Sequence, residues 1–273
     1  MTDRGVYSSR AGRLLHHASL LVCAVGLAGW IFHIVSPLWF LLSLVLRFLV
    51  IALGSFSAAS GVFGRVLLRG PTDRPLLALT FDDGPDPDTT PQVLALLAAH
   101  NARATFFVIG ERAVRHPALI AQLVAAGHQV ENHSHRHSWA TAFGPVSRLV
   151  SDFSSAQASV VSAGARAPRF FRAPIGILSP PIVEAARKLN LQLVGWSAKA
   201  RDGWESTTVS AALARLLSSL EPGAILLLHD GGEQLSSRAA NRPTIAPQVL
   251  AQLLPQMEAR GLQSVTLSEL LRE

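Results

Sequence analysis

Hydrophobic residues are distributed very unevenly along the chain. Between residues 18 and 64 the only formally charged side chain is Arg47, and Asp, Glu and Lys do not occur. A break before Pro37 divides this stretch into apolar runs at 18–35 and 38–63. Each run can cross a bilayer, which takes about 20 apolar residues per helix. The pattern therefore predicts a transmembrane helical hairpin over residues 18–64.

The hairpin is flanked by a basic N-terminal segment (1–17) and a basic linker (65–74), whereas the turn between its two runs is uncharged. Because basic flanks stay on the cytoplasmic side, we expect a two-pass protein of a bacterial-type inner membrane, in contact with membrane lipid, with both hairpin ends in the cytoplasm. A single long or re-entrant segment would place the following domain outside instead. A cleaved signal peptide fits less well, because the uncharged run is long and no small-residue cleavage site closes it. The flanking arginines are Arg4, Arg10, Arg13, Arg65, Arg69 and Arg74.

Three residues of the hairpin stand out. His33 and Arg47 are costly in lipid, so they mark either a lipid or partner site or, more simply, a plain anchor whose arginine reaches toward the interface. Cys23 is the single cysteine. The rest of the chain therefore has no thiolate nucleophile, no cysteine metal site and no internal disulfide.

Residues 75–273 show short β-rich runs that alternate with amphipathic helical runs, a pattern typical of β/α units around a parallel sheet. Charge nearly balances here, because seven of the 24 basic residues but only two of the 18 acidic ones precede this domain. It has no basic stripe, so nucleic acid is not an expected partner. Seven strands are predicted, at 76–81, 104–109, 129–132, 169–172, 192–197, 224–229 and 263–267. Helices are predicted at 90–100, 117–126, 145–163, 179–189, 207–220 and 245–260.

Ionisable side chains collect where the predicted strands end. Catalytic groups of β/α barrels come from the C-terminal ends of the strands, and a random scatter would not place so many there. We therefore expect one catalytic rim. Its members are Asp82 and Asp83 after the first strand, His133 and His137 after the third, Arg172 closing the fourth, Asp202 after the fifth, and His229 and Asp230 closing the sixth.

Two of these residues, His133 and His137, are four positions apart, which makes them neighbours on one face of a helical turn. With one carboxylate they would form a facial triad for a divalent metal that leaves positions open for water. The third ligand would be Asp82 or Asp83. Each feature alone has a simpler interpretation, as a polar loop or as turn-capping aspartates. Their conjunction on one rim favours a metal site.

Five motifs of the chain carry a family resemblance. They are Thr80-Phe81-Asp82-Asp83-Gly84-Pro85, His133-Ser134-His135-Arg136-His137, Arg172-Ala173-Pro174-Ile175-Gly176, Trp196 with Asp202, and Leu226-Leu227-Leu228-His229. In this order they resemble the signatures of the polysaccharide deacetylases of carbohydrate esterase family 4, the NodB homology domain. The resemblance covers about 76–271 and says nothing about residues 1–70. It implies an α/β fold, a distorted (β/α)7 TIM-like barrel of the NodB type, behind the transmembrane hairpin.

The resemblance implies that Asp83, His133 and His137 hold one divalent metal ion, expected to be Zn²⁺, and that Asp82 is the general base. A bound metal lowers the pKa of water toward about 7. A nearby carboxylate can then take the proton as the water attacks an amide carbonyl. Arg172 would keep Asp82 ionised.

The resemblance also assigns the groups that act on the rest of the amide. His229 matches the general acid that protonates the leaving amine, and Asp202 would orient its imidazole and keep it charged. The backbone N–H of Ile175 would stabilise the oxyanion. Trp196 and Leu227 match residues that line the pocket for the acetyl methyl group.

Two positions depart from the family's pattern. The fourth motif commonly has a further carboxylate before Asp202, where this chain has Lys199 and Arg201. Substrate preference is therefore open. Ile175 replaces a frequent aromatic residue, but its expected role uses the backbone, so catalysis should survive.

The leading hypothesis is a metal-dependent hydrolase that removes N-acetyl or N-formyl groups from amino sugars of a glycan or a lipid-linked sugar. If the domain faces the cytoplasm, a lipid-linked precursor at the inner leaflet is the expected substrate. If it faces out, peptidoglycan or an exported polysaccharide is expected. The alternative is a non-catalytic carbohydrate-binding or scaffold protein that retains the deacetylase fold, against which the complete acid–base set argues.

Overall fold

The N-terminal part of the structure is a helical hairpin. Helices α1 (Ala11–Ile31) and α2 (Pro37–Phe56) pack side by side in opposite directions, with Trp30 stacked on Phe40 near the connecting turn. Both helices are long and apolar enough to cross a membrane, and most of their large apolar side chains are exposed. This is a computed structural model, and it describes residues 7, 10–138, 143–203, 206–232 and 244–272.

The two helices differ in extent from the predicted apolar runs. α1 begins at Ala11, so it includes polar residues that hydropathy alone left out. α2 ends at Phe56, and the chain up to residue 63 folds back as a short turn, with Val62 buried. Most of the predicted basic segment before Arg10 lies outside the described residues.

The polar residues of the hairpin occupy different places. Arg47 donates from Nη1 to the Ser19 hydroxyl at 3.1 Å and lies 3.1 Å from Nδ1 of His16. His33 lies in the turn between the helices, with φ at 57°. The structure therefore pairs Arg47 with α1 and not with His33.

The rest of the described chain alternates strands and helices as predicted. The strands are β1 (Leu76–Asp82), β2 (Ala104–Val108), β3 (Gln129–Asn132), β4 (Phe170–Phe171), β5 (Gln192–Leu193), β6 (Ala198–Lys199), β7 (Ile225–His229) and β8 (Gln263–Ser264). The helices are α3 (Thr90–Ala99), α4 (Gly110–Arg115), α5 (Pro117–Ala125), α6 (Val146–Ser162), α7 (Pro180–Lys188), α8 (Val209–Leu217), α9 (Ala246–Ala259) and α10 (Leu267–Leu271). The hydrophobic pattern did not predict the short helices α4 and α10.

The strands form a parallel half-barrel, in the order β5-β4-β3-β2-β1-β7-β6, with β8 beside β1. This confirms the parallel α/β architecture but corrects the strand count. Of the run predicted as one strand at 192–197, only β5 (Gln192–Leu193) is a strand; β6 (Ala198–Lys199) follows the run and lies at the opposite end of the order. Leu67 occupies the space beside β5: its N–H donates to the Leu193 carbonyl at 2.9 Å, and its carbonyl accepts from Gly195 N–H at 2.7 Å. Part of the segment expected as a linker thus packs against the sheet.

Packing in the core determines where the ends of β1 and β7 lie relative to each other. β1 and β7 are almost completely buried, as expected for parallel strands covered on both faces. They pair in register, so that Asp82 and His229 are the last partners of the two strands. Two ionisable residues far apart in the sequence therefore end side by side at the same edge of the sheet.

Candidate active site

A cavity of about 520 Å³ opens at this edge, a size typical of small-ligand sites. Of the predicted rim and pocket residues, all except Arg172, Asp202 and Asp230 line it, and Arg172 and Asp202 lie directly behind the lining. The cavity-lining members of the predicted set are Asp82, Asp83, His133, His137, Ile175, Trp196, Leu227 and His229.

The predicted metal ligands come together inside this cavity. Asp83 Oδ1 lies 3.3 Å from His133 Nε2 and 3.1 Å from His137 Nε2, and the three ligand atoms lie within 4.8 Å of one another. Asp83 Oδ1 and His137 Nε2 are buried without a hydrogen-bond partner. Buried polar atoms are rarely left unsatisfied in proteins. A carboxylate oxygen and imidazole nitrogens so arranged fit a divalent cation.

Hydrogen bonding, burial and neighbouring charges set the orientation and the charge of these ligand side chains. His133 Nδ1 lies 2.9 Å from the Arg172 carbonyl oxygen, so it donates there and leaves the Nε2 lone pair facing the cluster. Burial lowers the pKa of His137 to about 4, which keeps this imidazole neutral. Burial alone would raise the pKa of Asp83, but the His137 and His133 imidazoles outweigh it and hold the pKa well below the usual range.

A loop, and not the expected helical turn, brings the side chains of His133 and His137 together. The side-chain oxygen of Asn132 accepts from Ser134 N–H at 2.9 Å, and the Ser134 hydroxyl accepts from His137 N–H at 3.0 Å. These bonds turn the chain until the two imidazole rings lie 5.0 Å apart. His135 does not join the cluster and lines a separate cavity.

Asp82 is held by a buried arginine. Arg172, which is 1% exposed, donates from Nη1 to Asp82 Oδ1 at 2.7 Å and to the Thr80 hydroxyl at 2.9 Å. Its Nη2 donates to the Gly195 carbonyl at 2.9 Å. This buried ion pair holds the Asp82 carboxylate in place. The second oxygen, Oδ2, lies 3.9 Å from His133 Nε2, beside the ligand cluster.

His229 is held by Asp202 through both carboxylate oxygens. Oδ1 lies 2.8 Å from His229 Nδ1, and Oδ2 accepts from the His229 backbone N–H at 2.8 Å. This leaves Nε2 for a ligand in the cavity that His229 lines. Burial lowers the pKa of His229, but the Asp202 carboxylate outweighs it and raises the pKa to about 10. The imidazole is therefore charged at neutral pH.

Several cavity-lining residues adopt left-handed backbone conformations. Ile175 has φ at 51°, although a β-branched side chain disfavours this region. Asp83, His137 and Arg201 also have positive φ, at 72°, 49° and 59°. Such strain persists only where the surroundings enforce it, and it is concentrated at functional sites. Backbone conformation was not visible in the sequence.

Two buried residues near the cluster were not assigned a role from the sequence. Arg112 on α4 donates to the Asp83 carbonyl at 2.7 Å and to the Gly232 carbonyl at 2.8 Å, so it positions the backbone of a predicted ligand. Asp230, on the predicted rim, turns away from the cavity and accepts from the Thr90 hydroxyl at 2.7 Å. Burial raises its pKa to about 7. The sequence pattern placed Asp230 on the rim without giving it a role, whereas nothing in the sequence distinguishes Arg112 from a surface arginine.

Fold and site together define the class of protein, a hydrolase of acyl groups. The sequence profile of the polysaccharide deacetylase family matches residues 69–194. The chain is 36% identical over 211 residues to a peptidoglycan-N-acetylglucosamine deacetylase of Bacillus cereus, covering 77% of this chain and 94% of that protein. It is 38% identical over 196 residues to a chitooligosaccharide deacetylase of Bradyrhizobium sp., covering 70% and 89%. The chain therefore belongs to the polysaccharide deacetylase family, carbohydrate esterase family 4, and it is an amino-sugar N-deacetylase.

Solved structures agree with this assignment. A family 4 acetyl xylan esterase from Clostridium thermocellum in complex with a cobalt ion is 33% identical, with a TM-score of 0.63, covering 72% of this chain and 90% of that one. A family 4 carbohydrate esterase from Streptomyces lividans in complex with acetate is 28% identical, with a TM-score of 0.61, covering 71% and 93%. A family 4 pseudoenzyme from Bacillus anthracis, at 21% identity, a TM-score of 0.65 and coverage of 75% and 68%, shares the fold alone. Deacetylases of this family are metal-dependent, and the cluster described above is a candidate metal site.

Proposed function

We propose that the protein is a membrane-anchored, zinc-dependent deacetylase that removes N-acetyl or N-formyl groups from an amino sugar, with its catalytic domain on the cytoplasmic side. One observation carries the chemistry. A single cavity brings together the candidate ligand cluster, the carboxylate of Asp82 and the imidazole of His229. Sugar binding alone has no use for a base beside a metal site together with a charged histidine.

Asp83, His133 and His137 would hold the cation. When bound, a divalent cation supplies Lewis acidity, which polarises an amide carbonyl and makes a water molecule more acidic. Zn²⁺ suits this set of two imidazoles and one carboxylate, because it accepts such ligands in catalytic sites that keep a position open.

The protein's own groups handle the protons. Asp82 takes a proton from the attacking water as the new C–O bond forms. His229 gives its proton to the amide nitrogen as the C–N bond breaks, so that the products are a carboxylate and a free amine. The backbone N–H of Ile175 would stabilise the oxyanion. Trp196 and Leu227, in the cavity wall, would contact the acyl methyl group.

Variants of the two proton-transfer groups test this proposal. Asp82→Asn and His229→Ala should each lower kcat on an acetylated chito-oligomer by about 10²–10⁴-fold, while purified protein keeps its zinc. His137→Ala should lose zinc together with turnover. Asp88→Asn, which changes an exposed carboxylate outside the cavity, is the matched control and should keep both. Zinc content and acetate release measure the two effects.

Unchanged turnover in Asp82→Asn or His229→Ala would remove that residue from its role. A wild-type chain that binds the oligomer with zinc in place but releases no acetate would instead identify a carbohydrate-binding protein.

The membrane placement rests on the hairpin. α1 has 21 residues and α2 has 20, which matches the length needed to cross a bilayer. Arginines flank both ends of the hairpin in the sequence. A reporter enzyme that is active only in the periplasm, fused to the C-terminus, should give no signal. A fusion to the turn between the helices is the control and should give a strong one. Strong activity from the C-terminal fusion would contradict the cytoplasmic placement.

A further inference from the structure

Arg112 is a buried arginine that connects two loops of the active site. It lies on α4 and is 7% exposed. Its Nη1 donates to the Asp83 carbonyl at 2.7 Å, and its Nη2 donates to the Gly232 carbonyl at 2.8 Å. Asp83 directly follows β1, and Gly232 lies shortly after His229, the last residue of β7. One guanidinium therefore ties the loop of a candidate metal ligand to the loop that follows the proposed acid.

The bonds of Arg112 differ from those of Arg172, the other buried arginine at this edge of the sheet. Burying a charge is costly unless the charge is paired and hydrogen-bonded, and Arg172 is paired with the carboxylate of Asp82. Among the described residues, no carboxylate forms an ion pair with Arg112. Its charge strengthens two hydrogen bonds to backbone carbonyls instead. This arrangement indicates that Arg112 fixes the positions of the two carbonyls.

The short helix that carries Arg112 is itself attached to the loop of the two histidine ligands. The Gly110 N–H donates to the Ser134 carbonyl at 3.0 Å, and the N–H of the next residue donates to the His135 carbonyl at 3.0 Å. A Cβ atom on Gly110 would lie 2.3 Å from His135 Nδ1 and 3.1 Å from its Cα, so the helix can approach this closely only with glycine there. Both acceptors lie between the histidine ligands in the sequence. Helix α4 therefore holds Arg112 at a fixed position relative to that loop.

The packing around the guanidinium leaves the Asp83 carbonyl little freedom. A Cβ atom on Gly231 would lie 2.2 Å from Arg112 Nη1 and 2.4 Å from the Asp83 carbonyl oxygen, so the loop after β7 lies directly against this hydrogen bond. Asp83 has φ at 72°, a left-handed conformation that persists only where the surroundings enforce it. Because the backbone conformation sets the direction of the Cα–Cβ bond, fixing the carbonyl also fixes where the Asp83 carboxylate points.

Resting on the proposed function, we propose that Arg112 is a positioning residue that sets the zinc affinity of the site. The planar guanidinium holds two carbonyls at a fixed spacing, which the single nitrogen of a lysine cannot do. It thereby maintains the left-handed conformation of Asp83 and directs the carboxylate toward the two imidazoles before the cation binds. Groups that orient metal ligands in this way typically contribute about 10–100-fold to metal affinity or activity.

The charge of Arg112, taken alone, would have the opposite effect. Like charges repel each other, so a guanidinium near the ligand cluster disfavours a divalent cation. If Arg112 acted only through its charge, its removal would make zinc bind more tightly. If it acts by positioning Asp83, its removal makes zinc bind more weakly. The sign of the change in affinity therefore distinguishes the two effects.

The test measures the zinc dissociation constant of the full chain in detergent, by competition with a chelator of known affinity. We expect Arg112→Met to raise this constant by about 10–100-fold. Its kcat on an acetylated chito-oligomer at saturating zinc should stay close to that of the wild type, because Asp202 holds His229 independently of Arg112. Arg112→Lys keeps the charge but not the two-nitrogen fork, so it should recover only part of the affinity.

Arg115→Met is the matched control. Arg115 is an exposed arginine on the same helix, and its Nε donates to the Glu111 carbonyl within that helix. This variant should bind zinc as tightly as the wild type. Near-UV circular dichroism of the zinc-free chain shows whether each variant is folded. If Arg112→Met does not fold, Arg112→Lys decides the question alone, because it keeps the charge and most of the length of the side chain.

Unchanged or tighter zinc binding in Arg112→Met would overturn this inference, and so would full wild-type affinity in Arg112→Lys. Lost turnover at saturating zinc with unchanged affinity would also overturn it, because Arg112 would then act on the reaction itself. The proposed function can fail separately. A wild-type chain that binds zinc but releases no acetate would contradict that function, while the zinc affinities would still decide the role of Arg112. A wild-type chain that binds no zinc would overturn both proposals.

Discussion

At the residue scale, the charge on His229 depends on one partner. A buried imidazole without a carboxylate is neutral at pH 7, because burial lowers its pKa. Asp202 contacts both the ring and the backbone N–H of His229, so the same side chain sets the orientation and the charge of the proposed acid. Asp202 does not line the cavity and acts only through His229. It is therefore a positioning residue.

We expect the Asp202→Asn variant to move the alkaline limb of the kcat/KM profile. A general acid works only while protonated, so wild-type activity should fall as pH rises through the pKa of His229, about 10. Without the carboxylate, burial dominates and the pKa falls, so the limb should move to lower pH by at least about one unit. A pH–rate profile measures this.

Asp230→Asn is the matched control for this profile. Asp230 follows His229 in the sequence but contacts Thr90 and not the imidazole. The alkaline limb of the kcat/KM profile of Asp230→Asn should lie at the same pH as that of the wild type. A limb that does not move in Asp202→Asn would mean that His229 is not the acid that the profile reports.

Among the elements, the last helix, α10, begins at a short local signal that the predicted strand pattern did not take into account. Residues 263–267 were predicted as a strand, but the strand stops at Ser264 and α10 begins at Leu267. Thr266 and Glu269 form a capping box: the Thr266 hydroxyl accepts from Glu269 N–H, and the Glu269 carboxylate accepts from Thr266 N–H. Thr-x-x-Glu is a known helix-start pattern. Because apolar residues precede and follow this pattern, the predicted strand extended past the start of α10.

Thr266→Ala should therefore destabilise the protein by about 1 kcal/mol, since the first turn of α10 loses its cap. Thr266→Ser keeps the hydroxyl and should cost much less. Denaturant unfolding of the full chain in detergent measures both variants. Equal losses of stability in the two would show that the methyl group of Thr266, rather than the cap, is responsible.

In the hairpin, the hydrogen bonds of Arg47 connect two elements. An arginine inside an apolar helix is costly in lipid unless it is paired or reaches the interface. Arg47 donates to the Ser19 hydroxyl and to the His16 carbonyl, at 3.1 and 3.3 Å. These bonds join α2 to α1 and provide partners for the guanidinium within the hairpin.

At the scale of the whole molecule, a buried carboxyl links folding to pH. Glu131 on β3 is 2% exposed. Its carboxylate accepts from the N–H groups of Arg169 and Phe170 at 2.8 and 2.7 Å, and these bonds connect the start of β4 to β3. Burial outweighs these bonds and raises the pKa of Glu131 to about 7. The folded chain therefore holds a proton that the unfolded chain has released between the usual glutamate pKa and about 7.

Stability should fall as pH rises through this interval, because the folded state binds more protons than the unfolded state. Glu131→Gln removes the titrating group, and the decrease in stability between about pH 4.5 and 7 should become smaller by up to about 3 kcal/mol. Denaturant unfolding at several pH values, with zinc held constant, measures the slope. Glu111→Gln, at an exposed glutamate, should leave the slope unchanged. If the slope of Glu131→Gln equals that of the wild type, Glu131 is ionised in the folded protein.

The sequence alone was enough to predict which groups carry the proposed chemistry. The ends of buried strands lie at one edge of a parallel sheet, so the positions of Asp82, Asp83, His133 and His229 already predicted a common rim. Hydropathy likewise predicted the two apolar helices, because the length of an uncharged run is a local property. Family resemblance was needed to distinguish the base from the ligand, since adjacent aspartates look alike in a pattern.

Tertiary structure decided what depends on contacts between distant segments. The Arg172 carbonyl selects the tautomer of His133, Arg112 holds the backbone of Asp83, and the Ser55 carbonyl in the last turn of α2 accepts from Leu178 N–H. None of these has a local signature, because each joins residues far apart in the chain. The early end of β5 within the predicted run 192–197 belongs here as well: Leu67, from the segment after the hairpin, lies beside β5 and forms a bridge with Val194. The sequence of residues 192–197 alone does not indicate that Leu67 is a neighbour.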